Sequence, residues 1–175
     1  GIAEGIGASV RRKEDKKFTT GKGRYTDDIN RPGQLHAFFI RSDVAHAKIK
    51  NIDITKALKS DGVAAIYTGA DIAAEGVGGP ICGWAPTNRD GSAPKEPPHP
   101  LLANGKVRYV GDHIAVVIAE SMEQAKSAAE NVQIDLEALA PVVDLSTAIG
   151  NTQIHDEMDD NVYFDWELGD EKATG

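Results

Sequence analysis

Hydrophobic and polar positions recur along this chain with two periods, and each change of period marks a new element. Residues 35–40, Leu-His-Ala-Phe-Phe-Ile, are apolar and aromatic and predict a strand. The polar Arg41-Ser42-Asp43 follows, then a run with Ile49, Ile52 and Ile54, so residues 35–53 read as a hairpin. Its turn lacks the Asn-Gly or Asp-Gly pair of a two-residue hairpin loop. Residues 55–60 predict a short helix with Ala57 and Leu58 inward. Asp61-Gly62 closes it, since glycine suits a left-handed cap. Residues 63–67 form an apolar strand, and residues 69–75 one helical turn with Asp71 near its start.

Periodicity then stops. Residues 76–105 hold six of the eight prolines and six glycines. Proline removes backbone donors, so this stretch is neither helix nor central strand but a long loop, of a kind usually functional or interfacial. Order returns with a strand at 107–110, a kink at Gly111-Asp112, and an unbroken apolar run at 114–119 that reads as a strand buried on both faces. Ser121 and Gln124 form a capping-box pair, and Met122, Ala125, Ala129 and Val132 share one helical face. Residues 133–139 alternate as a half-buried strand that Pro141 stops, which makes 107–139 a strand–helix–strand unit. Its crossover would be right-handed were the two strands parallel. Residues 162, 164, 166 and 168 are apolar or aromatic between acids, which predicts an extended arm lying on the domain or docking on a neighbour.

Interspersed hairpins with two or three helices give an α+β class with a mixed sheet rather than a doubly wound one. The organisation read from the pattern is an N-terminal arm at 1–20, a folded domain at 21–150 and a C-terminal extension at 151–175. The chain of 175 residues starts without Met, carries no basic-then-apolar leader, and reads as a piece of something longer. No apolar run approaches the length of a membrane span.

Charge sharpens this organisation. The net charge of −8 is concentrated in residues 151–175, where eight acids face Lys172 alone. Residues 11–24 carry seven bases against Glu14 and Asp15, with Phe18 the single aromatic among them. On an acidic chain that pattern fits a solvated arm, or a surface answering an acidic partner, rather than nucleic acid.

Candidate chemistry is sparse. The single Cys82 excludes a disulfide framework or a cysteine-rich cluster within this chain and fits a reducing compartment. Nothing beside it in sequence lowers its pKa. Gly21-x-Gly23 looks like half of a dinucleotide fingerprint but lacks the preceding strand and following helix, so a plain turn fits better. His36, His46, His99, His113 and His155 show no metal-ligand spacing, and His36 and His46 suit structural roles in or beside strands. His155 with Asp156, Glu157, Asp159 and Asp160 lacks the glycine of a calcium loop and reads as a solvated acidic run. Glu14-Asp15 sits on an arm, which cannot hold carboxylates at a fixed separation. From these residues no catalytic, cofactor-binding or metal-binding position is assigned.

One resemblance is specific. Residues 21–29 (Gly-Lys-Gly-Arg-Tyr-Thr-Asp-Asp-Ile), Pro32-Gly33 with Leu35-His36-Ala37, Arg41-Ser42 with Ala45-His46-Ala47 and Ile49, and the 106–112 run Lys-Val-Arg-Tyr-Val-Gly-Asp leading into Ala115-Val116-Val117 carry it. In this order they resemble the opening of the molybdenum-binding large subunit of the xanthine dehydrogenase and aldehyde oxidase family, nearest the carbon monoxide dehydrogenase large-chain branch. The resemblance implies an α/β-hammerhead domain at 21–150 and an acidic extension leading to catalytic domains. It also implies a parent enzyme with a molybdenum–pterin cofactor (molybdopterin cytosine dinucleotide), [2Fe-2S] clusters and FAD on partner subunits or domains, and a cytoplasmic setting. Such a parent oxidises carbon monoxide, aldehydes or N-heterocycles with water as oxygen source. The family's pterin-binding segments, active-site loop and catalytic glutamate find no match in these residues, and the setting of Cys82 differs from the active-loop cysteine. A non-catalytic structural domain is the expectation. A free-standing binding module that uses the 76–105 loop, and a nucleotide-dependent enzyme that uses Gly21 and Gly23, are its rivals.

Overall fold

The computed structural model describes residues 5, 6, 8 and 12–174. The chain divides after Gln34 into two units. In the first, helix α1 (Asp15–Thr19) interrupts what the sequence presents as a plain arm. The Thr19 and Thr20 hydroxyls each donate at 2.6 Å to carbonyls one turn back, those of Asp15 and Lys16, and so satisfy the end of the helix. Phe18 stacks on Tyr25 with ring centroids 5.1 Å apart. Gly23 lies against the Phe18 ring so closely that a Cβ would collide with it, and Gly21 takes a left-handed φ of 70°. Both glycines thus have local reasons, and a 3₁₀ turn at Thr26–Asp28 follows them in place of a nucleotide-binding helix. Arg11, the first base of the 11–24 cluster, falls outside the described residues.

The second unit contains β1 (His36–Arg41), β2 (Ala47–Asp53), β3 (Val63–Thr68), α2 (Gly69–Ala74), β4 (Lys106–Val107), β5 (His113–Ala119), α3 (Met122–Ala129), β6 (Gln133–Ala138) and α4 (Glu171–Thr174). Its strands make two three-stranded antiparallel sheets, ordered β1-β5-β3 and β4-β2-β6. The α+β class and the hammerhead elements are as expected. The hairpin at 35–53 is not formed, because β1 and β2 belong to different sheets. The residues between them explain why. Ser42 N–H donates to the Asp112 carbonyl at 2.8 Å and Gly111 N–H donates to the Ser42 carbonyl at 2.7 Å, so the would-be turn is tied to 111–112 instead of closing on itself. The strand–helix–strand unit likewise spans both sheets, so no parallel crossover exists, and the expected 107–110 strand shortens to β4.

Strand β5 joins the two cores. Val117 pairs with Phe38 on one side and Ile66 on the other, and α3 covers this face with Ala125 and Ala128, both fully buried. Ile114, three residues earlier, lies in the other core with Ala47, Ala103 and Val107. This is why 114–119 reads as apolar on both faces. Ser121 caps α3 as predicted, its Oγ accepting from Gln124 N–H at 3.2 Å and donating to Gln124 Oε1 at 2.8 Å. Thr68 and Asp71 form the matching box on α2. Two inward assignments fail. Leu58 is 46% exposed, because a 3₁₀ turn at Ala57–Lys59 buries Ala57 alone, and Met122 is 39% exposed at the first turn of α3, whose buried residues are Ala125 and Ala128.

Candidate functional site: the loop and tail face

The proline-rich loop and the acidic tail meet on the second unit. No strand forms at 161–168. Backbone of the tail instead bonds to the loop: Arg89 N–H donates to the Asp165 carbonyl at 2.8 Å and Lys95 N–H to the Tyr163 carbonyl at 3.1 Å. Asp165 N–H donates to Asn88 Oδ1 at 3.0 Å. The Arg89 guanidinium grips the Asp165 carboxylate with two bonds, Nε–Oδ1 at 2.9 Å and Nη2–Oδ2 at 2.7 Å, and Lys95 Nζ reaches Asp159 at 3.0 Å. Trp84 meets Phe164 and Trp166 edge-on at 5.3 and 5.2 Å. Of the two readings left open, the arm lies on its own domain.

A second tether enters from below. Lys106, 9% exposed, bonds through Nζ to Asp156 Oδ1 at 2.6 Å, and this hydrogen bond is the main cause holding the Asp156 carboxyl below its ordinary value. Asn161 fastens the intervening turn, its side chain accepting from Ile154 N–H and donating to the Ala148 and Thr152 carbonyls. The acidic run that looked merely solvated therefore contains two specific fasteners. Solvation was the reasonable reading, since their lysines lie about 50 to 64 residues away.

Between loop and tail opens a cleft of about 840 Å³. Its walls are largely apolar, with Pro80, Ile81, Pro98, Tyr109 and Tyr163 among them. Its polar groups are Arg108, His155, His99, Glu96 and Asp112. Asp112 Oδ2 accepts from the Arg108 backbone N–H at 3.0 Å, beside a kink whose Gly111 sits at a φ of 93°. Burial, and after it the Arg108 guanidinium, hold the His155 imidazole below its ordinary value. Burial and then Asp112 push the Tyr109 phenol up. Arg108 Nε and His155 Nδ1 are both buried without a hydrogen-bond partner. The structure thus brings together His99, His155 and Arg108, which the sequence scatters over 57 positions and which spacing rules could not join.

His46 and His113 stay apart from this cleft, whereas Cys82 is part of its lining. His46 is buried and bonds through Nδ1 to the Ala140 carbonyl at 2.8 Å, the structural role expected of it. His113 stacks on Phe39 at 4.7 Å, with burial first and Arg41 second lowering its basicity. Cys82 is exposed and donates to the Trp84 carbonyl at 2.9 Å. Among the described residues no three His, Cys, Asp or Glu side chains stand close enough to hold a metal ion. Gly69 and Gly79 leave no room for a Cβ, which would meet the Ala103 and His99 carbonyls. With Cys82 its single cysteine, the chain supplies no four-cysteine set for an iron–sulfur cluster. No helix among the described residues is long and apolar enough to cross a membrane.

Comparison with known proteins places this geometry. Residues 20–140 match the family model described as "Aldehyde oxidase and xanthine dehydrogenase, a/b hammerhead domain". The nicotine 6-hydroxylase large subunit of Paenarthrobacter nicotinovorans is 39% identical over 158 residues, 90% of this chain and 19% of that protein. The carbon monoxide dehydrogenase large chain of Afipia carboxidovorans is 35% identical over 98% of this chain and 22% of its own length. Among solved structures, quinoline 2-oxidoreductase from Pseudomonas putida 86 superposes with a TM-score of 0.75 at 36% identity, covering 89% of this chain and 19% of that one. The Cu,Mo-CO dehydrogenase does so at 0.69 and 32%, covering 99% and 22%. The chain thus spans about a fifth of the length of these relatives. With a family match that runs through both sheets and relatives that are molybdenum oxidoreductases, the chain belongs to the aldehyde oxidase and xanthine dehydrogenase family, as its α/β-hammerhead domain.

Proposed function

We propose that this chain is the N-terminal, non-catalytic structural and interaction domain of a molybdenum hydroxylase large subunit. The observation that carries the reading is the family match over residues 20–140 in a chain that spans about a fifth of its relatives. In this reading residues 1–20 are an arm, 21–150 the hammerhead domain and 151–175 an extension toward catalytic domains. Those domains hold the molybdenum–pterin cofactor, as molybdopterin cytosine dinucleotide, and iron–sulfur and flavin (FAD) subunits are the partners, in the cytoplasm. The parent oxidises carbon monoxide, an aldehyde or an N-heterocycle, taking oxygen from water. Residues 11–24 and 161–168 contribute interdomain or intersubunit surface.

The test is metal and pterin analysis of the purified 175-residue chain, with a redox-dye assay against aldehydes, purines and carbon monoxide. The expected result is neither metal nor turnover. Turnover by this chain alone sinks the reading. A second reading, a free-standing binding module that uses residues 76–105, is favoured by one observation, the cleft with its two unpartnered nitrogens. Binding without turnover distinguishes it only if the chain also fails to associate with a co-expressed iron–sulfur or flavin subunit.

A further inference from the structure

His155 is the one histidine of the acidic tail, and the fold sets it among cations. It lines the cleft and also a second hollow of about 300 Å³, which Ile154, Met158 and Tyr163 wall from the tail side. Its Nδ1 is closed to solvent and has no hydrogen-bond partner. The turn around it is drawn shut by directed bonds. Met158 N–H donates to the His155 carbonyl at 3.1 Å, and Ile154 N–H donates to Asn161 Oδ1 at 3.1 Å. Gln153 Nε2 donates to the Met158 and Asp159 carbonyls at 2.8 and 2.6 Å. A turn that borders two hollows is held more by such bonds than by packing, and segments of that kind open before the core does.

The closed turn suits only the neutral ring. An imidazolium has two N–H donors, and the one at Nδ1 would be buried without an acceptor, whereas a neutral ring with its proton on Nε2 leaves there only a lone pair. The charged neighbours strengthen this preference. Arg108 and Lys106 from β4 and its exit, and His99 from the loop, oppose a positive charge on His155, and Glu157 alone favours one. The other acids nearby are engaged elsewhere: Asp156 by Lys106 Nζ, Asp112 by the Arg108 backbone N–H, and Asp160 by Val162 N–H and Lys95. Glu96, Tyr109 and Tyr163 complete the titratable lining, and His46 acts on Asp156 rather than on His155.

We propose that His155 is a pH-sensitive latch on the tail: the neutral ring lets the turn of residues 153–162 close on the loop, and its protonation in mildly acidic solution releases that turn. The sign follows from a folded value below the unfolded one, with burial the first cause and Arg108 the second. The latch is fully closed above the unfolded value, about 6.5 for histidine, and gives way as pH falls toward the folded one. The Asp156 carboxyl, held low by Lys106, stays ionised through that window, so the two fasteners separate on the pH axis. The test is hydrogen exchange on the 175-residue chain at about pH 7.5 and about pH 5.5, corrected for the intrinsic pH dependence of exchange. Protection of the Ile154, Met158 and Val162 amides should fall about threefold or more, while that of Val117 in β5 holds. His155→Gln, which stays polar but takes no proton, should abolish the fall. If that variant is already open at the higher pH, the wild-type imidazole titration decides, because its midpoint must coincide with the loss of protection. Unchanged protection across this range overturns the proposal. So does a fall that persists in a closed His155→Gln tail, or an imidazole that titrates while the turn stays protected.

Discussion

Val117, at the centre of β5, has no exposed surface, whereas Trp84, the aromatic anchor of the loop and tail face, leaves 49% of its own in water. The two residues belong to regions held by different forces. Around Val117 and Ile114, small and branched side chains from two sheets and a helix exclude water, and stability follows the apolar area removed from it. Around Trp84 order comes from directed contacts between mostly exposed groups: a bidentate ion pair, an exposed and a buried lysine each paired with an acid, and three edge-on rings. Directed contacts fix where a segment lies without adding much global stability. The contrast predicts that damage to the first region unfolds the unit, while damage to the second frees the tail and leaves the sheets standing.

The largest effect should come from a fully buried residue of the strand that joins the cores. Ile114→Ala removes three carbons from a site with no room to collapse and should cost about 2–5 kcal/mol. It should appear in urea as a lower midpoint with an unchanged slope. A loss confined to the tail, with the global midpoint unmoved, would break the contrast.

Next is the buried end of the tail. Asp156→Ala strands the Lys106 ammonium, 9% exposed, and should cost about 1–3 kcal/mol, less than a fully buried pair because Asp156 is itself solvated. The sign with pH follows from the direction of the shift. The folded Asp156 carboxyl lies below its unfolded value, so its contribution is complete above about pH 3.9 and is lost as pH falls through the lower folded value. Limited proteolysis across residues 151–163 should therefore accelerate in acid for the wild type but change less for Asp156→Ala.

What the sequence made legible follows the same division. β5, the α3 cap and the Gly62 turn are local patterns, and each was readable because neighbours in sequence determine them. The pairing of β1 and β2 was misread because Ser42 finds its partners at Gly111 and Asp112, about 70 residues on, and no local rule anticipates them. The tail failed for a related reason. Its period-two apolar pattern is that of a strand, but no sheet edge receives it, and the alternate aromatic residues serve to meet Trp84. Arg108 was visible only as one letter of a family motif. What singles it out is a nitrogen left without a partner, and that is a fact of three dimensions.

A smaller effect is expected at Trp84. Trp84→Ala removes two edge-on ring contacts, worth about 0.5–1.5 kcal/mol each beyond the area they bury, on a surface already half in water. The chain has two tryptophans, so the remaining Trp166 reports directly. Its emission should shift to the red while far-UV circular dichroism stays constant.

The smallest effect belongs to the contact that looks strongest in geometry. Arg89 and Asp165 form two short parallel bonds, yet both side chains are more than half exposed, and such a pair gains little once side-chain ordering and salt screening are counted. Arg89→Ala should leave the melting temperature within experimental scatter. It should nevertheless speed hydrogen exchange at the amides of Arg89 and Asp165, because the ion pair holds the backbone bonds Arg89 N–H to Asp165 carbonyl and Asp165 N–H to Asn88 in register. High salt should reproduce that local loosening in the wild type and add nothing in the variant. A melting temperature that falls as far as it does for Asp156→Ala would mean that this face is energetically part of the core, and the division drawn between the two regions would fail.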